Sequence, residues 1–392
     1  MIPALAFAML VVGLAIALVV DRLWLDAARV ELTAAAEAAA LAAAGRVADD
    51  ALLKPDADLQ PVLEAARQKA VEVAAGNQAA GSPVTLNPAE EGDIRFGRLI
   101  RDGKTGKPLF LETESRPTSV VVFAERTHGR GNPVALFFRQ LTGQSAGNLI
   151  VSAEATIDNR IAGIRPYQGA NTPAIPLALL DKHLDPKRLD TWTLQIDGRA
   201  GSDDFGFDAA TGEVTPGGDG IPEMLIYGAP QQAKEEDVQK ANCHLADIGT
   251  GLQPDAVARQ FDEGWSHEDL ADFGDELRTD EGPQSLDSNA ILTDAETTSL
   301  EGLVGQARIC LLYANPRSVG STGECKIEAT RLVAVRILNV RPATKKSVEI
   351  LVQPAVVTTR TAILSEPDPA WSPDPGVSYD TNPYIYKLFL TQ

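Results

Sequence analysis

The sequence predicts an α+β fold: a long N-terminal helix, membrane-embedded at first and amphipathic further on, followed by β-rich mixed α+β domains. Three observations carry this. Residues 2–20 read "IPALAFAMLVVGLAIALVV" without a charge. Residues 31–45 read "ELTAAAEAAALAAAG", dominated by the best intrinsic helix former. Beyond Asp93 the helical pattern gives way to β-branched and alternating segments.

The first run meets the length of about 20 apolar residues needed to cross a bilayer. Pro3 falls in the first turn, where its missing N–H costs nothing, and Gly13 is tolerated in membrane helices. Two rivals are weaker. A signal peptide carries a basic n-region and a helix break after its apolar core. A buried soluble helix is rarely apolar on every face over this length. Asp21 and Arg22 mark the membrane boundary, with Trp24 as the interfacial aromatic. From there Leu23, Ala27, Val30, Ala34 and Leu41 recur at helical spacing, with Glu31 and Glu37 off that stripe, so one unbroken helix leaves the membrane. Small side chains let helix backbones approach closely, which makes Ala36, Ala40 and Ala43 a candidate packing face for another helix. A stiff spacer is the plainer reading of the same run.

A second helical piece over 61–76 lies in a linker, 51–89, set off by Pro55 and Pro61. A β-rich domain over 90–165 follows: two strands around "DGKTGK", a strand at 119–127, a short element in "PVALFFRQLTG", and a half-buried strand at 148–158. The connector "PYQGANTPAIP" opens a mixed α+β domain over 166–365. There "DTWTLQID", "IPEMLIYG", "RICLLYA", "RLVAVRILNV" and "SVEILVQPAVVT" read as strands, "DAVARQFDEG" and "ETTSLEGLVGQA" as helices. Residues 262–295, acidic and poor in apolar residues, read as an irregular excursion, and 366–392 as an extended Pro-rich tail.

The stretch "VVDRLWLDAARVELTAAAEAAALAAAGRV" resembles the N-terminal segment of TadG-like Flp/Tad pilus-assembly proteins. The likeness rests on an apolar span, the boundary acid Asp21, and an Ala run with Leu32, Ala34, Ala35, Glu37, Ala38, Ala39, Ala40, Leu41 and Ala42 in fixed order. "NPVALFFRQLTG", "VSAEATIDNRIAGIRP", "DGIPEMLIYG" and "LVQPAVVT" also look like large TadG-like proteins. The resemblance implies a single-pass accessory or minor pilin-like component in the inner membrane. Its bulk would be extracytoplasmic, its partners other Tad pilus or secretion components and pilin-like helices. Some members carry a metal site of the form D-x-S-x-S; this sequence has none.

Other chemistry is sparse. With a net charge of −19 the chain is a poor nucleic-acid ligand, because phosphates are repelled. Asp203, Asp204, Asp208, Glu213 and Asp219 offer hard oxygen ligands suited to Ca²⁺, without EF-hand spacing; acidic turns of this kind usually hold no ion, and no other cofactor is implied. Of Cys243, Cys310 and Cys325, the last two flank a Gly/Ser-rich turn; either they close a disulfide or all three are small buried hydrophobes. Cys243–His244 and Ser266–His267 are only chain neighbours, and no H-E-x-x-H or P-loop occurs. The expectation is therefore a non-enzymatic assembly role. An anchored surface adhesin is the first alternative and a membrane-tethered hydrolase using carboxylates the second.

Overall fold

The computed structural model describes residues 2–101, 108–209, 211–318, 323–341, 347–365 and 381–391. The predicted "DGKTGK" turn (102–107) and most of the predicted tail (366–380) lie outside these residues. The chain divides into two compact units. One comprises Met1–Val47, Asp58–Ile157 and Leu388–Gln392; the other comprises Ala48–Ala57 and Asp158–Lys387. The predicted linker and the 90–165 domain are thus redistributed. The second helix belongs to the first unit, and Ala48–Ala57 to the second.

In the first unit, helix α1 (Ile2–Val47) runs without a break, as the absence of Gly or Pro between Val20 and Gly45 predicts. Helix α2 (Gln60–Ala75) starts with Pro61 in its first turn and packs along α1. Below lies an antiparallel sheet built from β1 (Ile94–Arg101), β2 (Pro108–Glu112), β3 (Ser119–Arg126) and β4 (Leu149–Asp158), in the order β4-β3-β1-β2. Residues 388–391 close the outer edge of β4, where the Thr156 and Thr391 hydroxyls bond at 2.7 Å. The register sets Phe96, Val120 and Ala155 in one row and Ile94, Val122 and Ala153 in the next. All six are buried, and α1 packs on β3. Gly97 is required where it stands, because a Cβ there would sit 2.4 Å from the Phe110 ring.

Which face of α1 is buried corrects the sequence reading. Leu23 and Val30, on the predicted stripe, are 62% and 70% exposed. The buried face is Ala28, Leu32, Ala35, Ala36, Ala39, Ala40, Ala43, Ala44 and Val47. On α2 the buried positions include Ala66, Ala70 and Ala74, one turn apart. Hydropathy favours Leu and Val as core residues. Close approach of two helices and a sheet favours the smallest side chains instead, because interiors are close-packed.

In the second unit, strands β5 (Ala174–Leu180), β6 (Met224–Tyr227), β7 (Cys243–Ala246), β8 (Gln284–Asn289), β9 (Ala307–Ser318), β10 (Glu324–Arg341) and β11 (Glu349–Pro354) form one sheet. Its order is β6-β11-β10-β8-β7-β5-β9, and β9 pairs again with β10, so five strands close on themselves. β5 and β9 are parallel; the other neighbours are antiparallel. Closure removes exposed edges from those five strands. The core holds Trp192, Trp265, Tyr313 and Phe261, with helices α4 (Pro254–Glu263) and α5 (Asp294–Glu301) on the outside.

Three expectations fail here. "DTWTLQID" is not a strand: Thr193–Asp197 is one wide helical turn, with Trp192 plugged into the core before it. The acidic 262–295 stretch is not irregular. It supplies β8, whose buried Leu286 and Ser288 alternate with solvent-facing polar residues. The tail ends in a strand, Ile385–Thr391.

Candidate membrane-proximal site

Among the described residues, α1 is the one helix long and apolar enough to cross a membrane. Its side chains from Leu5 to Val20 are largely bare: Phe7 is 69% exposed, Leu10 65% and Ile16 57%. Ala17 is the exception at 1%. One turn further on, Asp21 is buried as well.

Asp21 lies on the face taken up by the segment 134–147, and Ala17, one turn earlier, shares that face of the helix. That segment is a narrow hairpin, Val134–Ala135 paired with Ala146–Gly147, holding the single helical turn α3 (Arg139–Thr142), which packs against α1. The Asp21 carboxylate accepts the backbone N–H of Phe137 at 2.9 Å and that of Phe138 at 3.4 Å. The Trp24 indole N–H donates to the Ala135 carbonyl at 3.1 Å, and its ring lies 5.2 Å from that of Phe137. Gly147 leaves room for Leu25; a Cβ there would meet Leu25 Cδ2 at 2.8 Å. Of the predicted boundary residues, Asp21 and Trp24 are therefore brought together as a clasp on this hairpin. Arg22 is not part of it and forms an exposed i,i+4 pair with Asp26 at 3.3 Å. Nothing in the sequence pairs residue 21 with residues 137 and 138, a separation of 116 and 117 positions. The one clue is the cost of an acid at the end of an apolar run.

Ala36, Ala40 and Ala43 are at most 1% exposed, buried inside their own unit. They lie on a packing face as expected, but it is taken up within the unit, where α1 packs against α2 and β3, and is not open to a helix from outside.

The other candidates do not converge on chemistry. Asp203 accepts the backbone N–H groups of Asp219 and Gly220 at 2.9 and 3.0 Å, and Asp219 accepts that of Ile221 at 3.0 Å. These carboxylates hold a hairpin end, and among the described residues no three His, Cys, Asp or Glu groups gather as a metal site. The disulfide is excluded by register. Cys310 lies opposite Val333 and Cys325 opposite Ser318, and all three cysteines are free and buried. Eight residues of ladder is roughly 25 Å, against a Cα limit of about 7 Å for a disulfide. Burial pushes the Cys243 thiol up to about 12 and the Cys325 thiol up to about 11, so neither is a ready nucleophile.

Ser266 bonds Asp269 at 2.8 Å, while His267 lies 3.7 Å from Asp275. Burial raises Glu223 above the usual carboxylate range. Its oxygens are taken by the N–H groups of Phe205 and Asp204 and the Ser202 hydroxyl, so it holds a turn. An open depression of about 890 Å³ includes Arg165, Arg259 and His267 in its lining. Arg165 is paired with Glu276 and Arg259 with Asp269.

His244 is buried, its Nδ1 3.2 Å from the Ser288 hydroxyl and its ring edge-on to Tyr313 at 4.8 Å. Burial, with a contribution from the Arg188 charge, brings its imidazole down from 6.5 to about 3. The unfolded chain takes up this proton below about pH 6.5 and the folded chain does not. The resulting stability is fully present above that pH and is lost as pH falls toward the folded value. Urea unfolding from roughly pH 6 to 4 should show wild type losing about 1.4 kcal/mol per pH unit more than His244→Gln. Equal slopes would mean an imidazole that titrates normally in the folded protein.

Compared with protein-family models, curated proteins and solved structures, the chain finds no match.

Proposed function

We propose that this chain is a single-pass, membrane-anchored accessory or minor pilin-like component of a Flp/Tad-type pilus-assembly or secretion apparatus. In this reading it lies in the inner membrane with its bulk outside the cytoplasm, and acts by docking on other components without a catalytic step. One observation carries it: α1 joins a bare apolar segment to the Ala-rich run in a single helix, with Asp21 at the junction. The order is that of the TadG-like N-terminal segment. The buried Ala face moves the expected partner contacts elsewhere, to the exposed surfaces of the two units and to the apolar segment itself.

Deleting residues 2–20 should shift the protein from the membrane to the soluble fraction. The intact chain, solubilised from membranes and captured by a C-terminal tag, should enrich pilin-like and secretion-complex proteins. Sedimentation of the deletion variant with membranes would overturn the anchor. Consistent absence of those proteins from the capture would overturn the assembly role.

A further inference from the structure

We infer that the 134–147 hairpin is a membrane foot: Phe137 and Leu141 enter the headgroup–acyl boundary of the bilayer that α1 spans. The inference rests on the anchor reading above and adds a second, non-spanning contact with the same lipid.

Depth is the first argument. Asp21 marks the end of the apolar segment, and the hairpin is bonded to it directly. Ala17, one turn inside that segment and on the same helix face as Asp21, is buried too. One helical turn is about 5.4 Å, within the roughly 5–10 Å at which interfacial elements sit. A body covering Ala17 therefore overlaps the hydrocarbon edge whenever α1 is inserted.

Surface chemistry is the second. Phe137 is 63% exposed and Leu141 57%, within five residues of each other, beside the half-buried Trp24 indole. Isolated exposed apolar residues need no explanation, but a cluster adjoining a membrane segment does. Trp suits this zone because one end of its ring is apolar and its N–H end is polar, and Phe and Leu are the side chains that interfacial elements bury.

Charge is the third. The chain has 54 acidic residues in 392, yet residues 126–153 contain none and carry Arg126, Arg130 and Arg139. Arg139 is exposed on α3 itself. Arg126 is buried and Arg130 is paired with Asp93 and Glu125, so Arg139 is the charge the hairpin presents. An acid-free hairpin with an exposed Arg avoids repulsion from an anionic lipid surface.

The test uses the full chain in vesicles of phosphatidylcholine and phosphatidylglycerol. A bimane label is placed singly at Val11→Cys, Leu141→Cys or Leu184→Cys. The native thiols are buried, and Leu184 is 93% exposed in the other unit. Doxyl lipids quench at known depth. The expected result is loss of emission at 11 from the deep quencher and loss at 141 from the shallow quencher, while 184 without quencher gives the emission of a water-exposed label. Quenching at 11 without quenching at 141 overturns the foot and leaves the anchor standing. A label at 141 that is shielded from water but untouched by either quencher also overturns it, since the occupant is then protein. No quenching at 11 overturns the anchor, and the foot with it. Phe137→Cys, carried in parallel, should follow 141.

Discussion

Replacing Asp50 with Ala is expected to destabilise the second unit by about 3–5 kcal/mol, the usual cost of stripping one partner from a buried ion pair. Asp50 lies in the short segment after α1 that belongs to that unit. One carboxylate oxygen accepts from Arg336 at 2.6 Å and the other from the Val356 N–H at 2.6 Å. The Arg336 side chain is only 9% exposed, donates to the Gly305 carbonyl at 2.6 Å, and lies 3.4 Å over the Phe207 ring. Without Asp50 the guanidinium keeps its charge in a largely buried site with that partner gone. Asp50→Asn keeps one of the two acceptors, its Oδ1, and should cost less than Asp50→Ala. Adding Arg336→Met to Asp50→Ala should recover much of the loss, because the uncompensated charge is gone. Urea unfolding in micelles, read through the buried Trp192 and Trp265, measures all three. A loss below about 1 kcal/mol for Asp50→Ala would mean that the pair is solvated.

Leu at Ala36, Ala40 and Ala43 together should unfold the first unit or weaken it beyond the effect of any one change. Single overpacking substitutions in a dense core typically cost about 1–3 kcal/mol. These three positions share one face of α1, so their strain has no separate outlets. Limited proteolysis of the full chain in micelles would show α2 and the sheet becoming susceptible, while the same change at exposed Ala27, Ala34 and Arg29 is tolerated. If the triple variant resists protease like wild type, the helix is a spacer, and its burial against α2 and β3 is loose.

These two sites also measure how far the sequence could be read. The helix itself was plain from composition, and most strands from β-branched runs, because those signals are local. The packing face at Ala36, Ala40 and Ala43 was read correctly as a face, but the apolar stripe through Leu23 and Val30 was misjudged. A hydropathy pattern ranks Leu and Val above Ala, whereas contact between backbones selects for size. Asp21 was legible as a boundary acid, but its partners at Phe137 and Phe138 were not, since a bond from side chain to backbone leaves no trace in residue type. Asp50 gave no signal, being one acid in "VADDALL", and its partner is 286 positions away. β8 was hidden for a related reason: a strand paired on both sides, with a polar outer face, shows only Leu286 as an apolar marker. Of the two readings of the cysteines, the disulfide failed because proximity across a turn does not fix position along a ladder, and the three are free and buried.

The last strand has a consequence for synthesis. Residues 388–391 complete the edge of β4, yet β4 ends at Asp158. Everything between must be translated first, on the order of 10–50 s at ordinary elongation rates. Through that interval β4 presents an unsatisfied ladder, a template for pairing with another nascent chain. The protein is therefore prone to mispairing while it is being made, and a chain stopped short of residue 388 makes that exposure permanent.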